Sequence, residues 1–416
     1  MSNSVLFCRK SPVVFPAIGP LVLRSLLLAL VLVLGLGQTA RTAQPAPAAS
    51  AARQPRQSAW EFDQVGLKGV LYPSLMLCMA KMQVNPQQQD GELGDANGLL
   101  GISVVSPRAG AKAVVELTSS SPLVNSGRIE VTLAQKGKTY QVFPAVSLAE
   151  SVVLQRHASP ATLTAKLWLD GVPQGERTAQ VSIASINDCV FGLKDDETYY
   201  GTLWLFAAYV NENHPAVQQI LQEALASREV AAFNGYQSDP AGVRKQVKAV
   251  WQVLRRRGIR YSNIEKASVK LDDVAVQHVR FVSDALLSRQ ANCVEGSCLL
   301  ASIFTKIGLE TWLVALPEHM LVAVALDPQG KQMLYLETTL LSEATFEDAA
   351  KAGQLQMDEA YAKARKAEAR KKSGKAGGDD DDVQEPYLIS ISEVRKRGIL
   401  PIPDTEEARK RFFMVK

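Results

Sequence analysis

The chain has 416 residues, with 46 Lys and Arg against 42 Asp and Glu and a formal net charge of +4. A hydrophobic content of 47% supplies real cores for two or three domains and excludes a disordered chain. Charge this balanced is no footprint of nucleic-acid binding. With four histidines and neither HExxH nor CxxC, the chain also lacks the spacing of a zinc site.

At the N-terminus Arg9, Lys10 and Arg24 precede the apolar run SLLLALVLVLGLG, residues 25–37. That run is too short for an ordinary spanning helix and reads as an export signal within residues 1–40, either removed or kept as a signal anchor. A flexible linker rich in Ala, Pro and Ser occupies 41–60. The expected location is therefore outside the cytoplasm, in the periplasm, with membrane anchoring only through this N-terminal segment.

Residues 61–190 carry short alternating segments: GRIEVTL (127–133), KTYQVFPAV (138–146), TLTAKLWL (162–169) and RTAQVSIASI (177–186). A period of two broken by SSSP, KGK and DGVPQGE turns predicts an antiparallel β-sandwich domain. Cys78 stands near its start and Cys189 closes it. In an oxidising compartment the plain expectation is a disulfide between them.

Beyond Cys189 the period becomes helical. LWLFAAYV leads into a helical pattern ending near Phe233, and AGVRKQVKAVWQVLRRRG sets Val243, Val247, Val250, Trp251 and Leu254 on one stripe that Gly258 stops. A further helix is predicted over VQHVRFVSDALLS, residues 276–288, before three short apolar strands, TWLVAL, MLVAVAL and KQMLYLE. The chain thus reads as α+β: the β-sandwich-like domain first, then an α+β domain over 200–349. An Ala-rich charged segment over 350–384, ending in Asp379–Asp382, reads as a solvated flexible insertion, and 385–416 returns to the domain. Four adjacent aspartates lack the spacing of a calcium loop.

The chemistry concentrates in NCVEGSCLLASIFTKIG, residues 292–308. Asn292 can cap a helix with Glu295 at its third position, which puts Cys293 in the first turn. Unsatisfied amides and the positive end of the helix dipole there favour a thiolate, the nucleophilic form. Cys298 lies roughly 140° around the helix from Cys293 and reads as packing. His319 stands immediately before MLVAVAL, and folding the hairpin about Pro328 places Glu337 across from it within one residue of register. A carboxylate at cross-strand distance can hold the imidazole in its useful tautomer.

NCVEGSCLLASIFTKIGLETWLVALPEHMLVAVALD, together with LYLETTL, resembles the bacterial transglutaminase-like superfamily, and the resemblance extends over residues 243–403. It implies a papain-like fold acting on amide bonds by hydrolysis or acyl transfer. Cys293 would be the nucleophile, His319 the general base and acid, and Glu337 the orienting acid. Glu318 stands where that family commonly has Gly, and Glu337 where animal transglutaminases have Asp. The Cys293 amide is one candidate oxyanion donor, and Gln277 and Gln290 are candidates for the second. No cofactor or metal is implied. The expected partner is a peptide or protein substrate, envelope-associated or not. The competing expectation is a noncatalytic envelope binding or assembly module that retains the fold.

Overall fold

The computed structural model describes residues 59–82, 90–195, 198–262, 268–271, 273–373 and 385–406. The expected export signal, the acidic block at 379–382 and most of the expected linker lie outside these residues. No helix among the described residues is long and apolar enough to cross a membrane.

The molecule is a mixed α+β protein with several sheets. Its first part comprises β1 (Trp60–Val65), β2 (Val70–Leu71), α1 (Pro73–Lys81), β3 (Glu92–Gly94), β4 (Leu100–Val105), β5 (Ala111–Ser119), β6 (Gly127–Leu133), β7 (Thr139–Phe143), β8 (Ser159–Leu169) and β9 (Val172–Ile183). These strands form a four-stranded sheet ordered β1-β4-β7-β3 and a five-stranded sheet ordered β2-β9-β8-β5-β6. Alternation sets their inner faces: Ala111, Ala113, Val115 and Leu117 of β5 are buried, as are Ala161, Leu163, Ala165, Leu167 and Leu169 of β8. Asp170 and Gly171, both at positive φ, make the two-residue turn from β8 to β9, the backbone that matches strand twist.

β10 (Asp188–Asp195) spans residue 190, where the expected β domain ends. It pairs antiparallel with β11 (Thr198–Gly201) and, 79 or more residues later in the chain, with β14 (Val274–His278), which in turn pairs with β13 (Ser268–Leu271). α1 packs beside β10, where the Ser74 hydroxyl donates to the Asp188 carbonyl at 2.6 Å. Cys78 and Cys189 are both free and buried, so the expected disulfide is absent. Burial pushes the Cys78 thiol up to about 12 and the Cys189 thiol well above its ordinary value, with neighbouring Cys78 adding to the rise. Neutral thiols in such a core behave as small hydrophobes.

Two helices follow, α2 (Pro215–Ala226) and α3 (Pro240–Arg256). Val243, Val247, Val250, Trp251 and Leu254 of α3 are fully buried, and Gly258 just beyond it adopts φ +72°, the left-handed stop that glycine tolerates. β12 (Arg260–Tyr261) precedes β14, and α4 (Val282–Ser288) follows β14. The helix expected over 276–288 is therefore strand in its first part. Val276 pairs with both Val190 and Val269, and two flanking partners outweigh local helical spacing.

β15 (Gln290–Ala291), which pairs with β12, leads into α5 (Cys293–Lys306). β16 (Thr311–Leu316), β17 (His319–Ala325) and β18 (Met333–Leu336) then form an antiparallel sheet, completed by β19 (Tyr387–Ser390) in the order β18-β17-β16-β19. α5 covers one face of this sheet and α6 (Phe346–Lys372) meets it on β18, with α7 (Ile391–Lys396) following directly on β19. The segment expected to be a flexible insertion thus begins as a docked helix. Met357 of α6 packs with Val314, Leu321, Ala323 and Tyr335. Gly353 permits that approach, because a Cβ there would meet the Tyr335 carbonyl at 2.7 Å. The apolar spacing of α6 is sparse and mostly alanine, so its sequence understates its burial.

Candidate active site

Cys293 is the first residue of α5, and a reciprocal cap fixes that end. The Asn292 side chain accepts from the Glu295 amide at 3.0 Å, and Glu295 Oε2 accepts from the Asn292 amide at 2.9 Å. Glu295 is 3% exposed and also accepts from the Arg280 amide at 2.9 Å and from Arg280 Nη1 at 3.1 Å. The chain leaving β14 is thereby tied to the turn that carries the sulfur. Cys293 is half-buried, whereas Cys298 is buried and its thiol approaches the Phe206 carbonyl at 3.7 Å.

His319 opens β17 after a two-residue turn, Pro317–Glu318, with Leu316 opposite it. Glu318 adopts φ +58°, a left-handed backbone that costs a non-glycine residue roughly 1–2 kcal/mol. Glu337 follows β18 and caps the short 3-10 turn Thr338–Leu340. The ladder pairs Val322 with Leu336, so one step further Glu337 opposes Leu321 rather than His319. The hairpin is displaced from the expected register because its loop is centred later. Leu326 bonds Gln332 at 2.8 Å, and Asp327 accepts from the amides of Gln329, Lys331 and Gln332. The length of the glutamate side chain closes the resulting diagonal.

Four hydrogen bonds converge on the Glu337 carboxylate. Oε2 accepts from His319 Nε2 at 2.6 Å and from Gln356 Nε2 at 2.7 Å; Oε1 accepts from the Thr339 amide at 2.9 Å and its hydroxyl at 2.6 Å. Nε2 is committed to Glu337, and the Cys293 side chain is the other group that acts on this imidazole. Burial alone would lower His319, but its bonds to Cys293 and Glu337 and the charge on both raise it from 6.5 to about 10. Burial alone would raise Glu337, yet His319 and the two Thr339 donors bring it from 4.5 down to about 2. The pair therefore holds an imidazolium against a carboxylate across the neutral range.

A small residue lets the elements meet. A Cβ on Gly296 would lie 3.1 Å from both Cβ and Oγ1 of Thr338. With glycine there, Thr338 settles on the first turn of α5 and its hydroxyl donates to the Cys293 carbonyl at 3.2 Å. The turn next to Glu337 is thus pinned to the helix of Cys293.

Of the residues singled out in the sequence, Cys293, His319 and Glu337 come together. Gln277 instead opposes Cys189 in the β10–β14 ladder, and Gln290 opposes Arg260 in the β12–β15 ladder. Among the described residues no hydrogen bond joins either glutamine to Cys293. Tyr261 is a polar side chain close enough to Cys293 and Glu337 to feel their charge. Burial, followed by the nearby charges of Cys293 and Glu337, raises its phenol above the ordinary value. Sequence reasoning missed Tyr261 and Gln356. Tyr261 sits in a two-residue strand, and Gln356 occupies the edge of a helix whose other face (Gly353, Met357) was the only hint of docking.

A groove of about 570 Å³ opens beside the imidazole, between the start of β17, the turn after Glu337 and α6. Among the described residues no three His, Cys, Asp or Glu side chains gather as a metal site. The arrangement can generate a nucleophilic sulfur, move a proton and hold the proton carrier in one orientation. No family model matches the chain, and no curated protein matches it.

Proposed function

We propose that this protein is an exported cysteine enzyme of the transglutaminase-like type that cleaves or transfers amide-linked acyl groups, with Cys293, His319 and Glu337 as its triad. In this reading the two N-terminal sheets form the sandwich that positions a peptide or protein partner, and the second half is papain-like. The observation that carries the proposal is the imidazole of His319, bonded through Nε2 to Glu337 at 2.6 Å and close enough to Cys293 for the two to interact.

The chemistry follows from that orientation. Cys293 reacts as the thiolate, its proton resting on His319 as the imidazolium that Glu337 stabilises. The thiolate adds to the amide carbon, and the developing oxyanion is met by the Cys293 amide, one of the first-turn donors that have no intrahelical acceptor. Collapse breaks the C–N bond while the imidazolium gives its proton to the departing nitrogen, leaving a thioester. Water or a second amine, deprotonated by the now neutral His319, then releases the acyl group.

Turnover of peptide and glutamine-type amide substrates by the wild type, abolished in Cys293→Ala, is the expected result. Replacing His319 by Ala should lower the rate by about 10²–10⁴-fold. Correctly folded, reduced wild type with no turnover above Cys293→Ala, and a Cys293 that reacts with iodoacetamide no faster in wild type than in His319→Ala, would instead mark a noncatalytic binding module.

A further inference from the structure

We infer that the groove between His319 and α6 is the subsite for the amine half of the substrate, and that Glu359 and Lys363 select an amine segment bearing a cation near the scissile nitrogen and an anion farther out. This rests on the acyl-transfer reading of the same site. The groove is lined by His319 and Glu337 but not by Cys293, so it lies on the side of the proton donor. In acyl transfer the carbonyl carbon bonds to sulfur, the C–N bond breaks, and the nitrogen takes its proton from the imidazolium. Whatever fills the space beside the imidazole is therefore attached to nitrogen, as the departing amine in the first step or the incoming amine in the second.

The α6 wall of this groove is a single helical stripe: Ala352, Gln356, Glu359, Ala360 and Lys363, spaced three or four residues apart as one face requires. The adjoining face, roughly 100° around the helix, is held on the sheet through Gly353 and Met357, so the stripe is not free to rotate. Gln356 marks its origin, because its bond to Glu337 at 2.7 Å places it level with His319. At about 1.5 Å rise per residue, Glu359 stands roughly 4.5 Å beyond that point and Lys363 roughly 10.5 Å. An extended peptide advances about 3.3 Å per residue. Glu359 thus faces the first or second residue on the amine side, and Lys363 about the third.

Both charges are exposed. Among the described residues neither has a hydrogen-bond or ion-pair partner, and each is available to a substrate. The small residues Ala352 and Ala360 leave the floor open between them. The occupant that fits is a peptide segment with a basic side chain or ammonium just after the scissile bond and a carboxylate, side chain or terminal, about three residues along. Exposed pairs of this kind are weak and screened by salt, so they tune selectivity rather than create it.

The test uses the full protein with two kinds of measurement. Quenched fluorogenic peptides carrying Lys, Ala or Glu at the first amine-side position, and a free or amidated carboxylate at the third, give kcat/KM for wild type, Glu359→Lys and Lys363→Glu. The expected result is a preference for Lys first and a free carboxylate third. Glu359→Lys should invert the first preference and Lys363→Glu the second, by about three- to tenfold each, with both effects shrinking in 0.5 M salt. Iodoacetamide labelling of Cys293 should be unchanged in both variants. In parallel, anisotropy measures binding of a labelled amine-side product peptide to Cys293→Ala. Charge-dependent binding without wild-type turnover would retire the enzyme and keep the subsite. Turnover with preferences that ignore both reversals, or product binding with no charge dependence, would overturn the inference and keep the enzyme.

Discussion

His319 stands under opposed influences, and its titration is where the site can be read most directly. Its folded value of about 10 lies above the unfolded 6.5, so the stability it contributes is complete below about pH 6.5 and is lost as pH rises through about 10. Glu337 runs the other way: folded about 2 against 4.5 unfolded, its contribution is present above about pH 4.5 and is lost as pH falls through about 2. Replacing Glu337 with Gln removes one of the two partners that raise His319. The ring should then titrate closer to 6.5, which the 15N shifts of the imidazole would report, and the alkaline limb of any pH–rate profile should move with it. A His319 titration unchanged in Glu337→Gln would contradict the geometry. Gln356→Leu removes one of four donors from the same carboxylate, so the acid limb should rise toward 4.5 while the His319 ring stays bonded.

At the scale of elements, the start of α5 is the part most sensitive to a single change. Asn292 supplies an ordinary cap, and Asn292→Ala should cost about 1 kcal/mol in urea unfolding. Glu295 does more, because it caps, holds Arg280 and is 3% exposed. Glu295→Ala removes both the cap and the tie to Arg280 and should cost about 2–3 kcal/mol. A cost for Glu295→Ala no greater than for Asn292→Ala would show that the Arg280 tie contributes nothing. Much of this element was legible in advance: Asn292 and Glu295 three residues apart state the cap, and the cap states where Cys293 lies. What brings His319 and Glu337 to it was only half legible. The hairpin was readable from DPQG, but the bonds around Asp327 recentred its loop, and no short-range pattern announces that Gly296 makes room for Thr338.

On the scale of the whole molecule, β10 joins what the periodicities separate. The expected boundary at residue 190 falls inside this strand, which pairs with β14 on one edge and β11 on the other, while α1 braces it from the N-terminal part. A fragment starting at residue 196 would leave β14 with a bare edge and Cys298 without its neighbour Cys189. Such a fragment should lose cooperative thermal unfolding by circular dichroism, whereas two independent units would each retain a transition. The thiols give a second check on the same core. In the native protein only Cys293, among the four described cysteines, is not buried. Alkylation followed by mass spectrometry should modify it first, with Cys78, Cys189 and Cys298 reacting after unfolding. Rapid native labelling of Cys189 would mean that the shared core opens easily.

By itself the sequence determined the elements whose signals are local: the alternating strands of the first half, the buried stripe of α3, the capped helix that opens at Cys293 and the apolar strands after it. Those signals are set by neighbours a few residues apart, where side-chain period and capping chemistry decide the outcome. Tertiary structure alone decided that β14 is a strand, that Cys78 and Cys189 remain thiols in a dry core, that Glu337 reaches His319 on a diagonal and that α6 docks to bring Gln356 against Glu337. Each of these depends on groups distant in sequence competing for the same space or the same hydrogen bond, and the free energy of that competition exists only once the sheets and helices have packed.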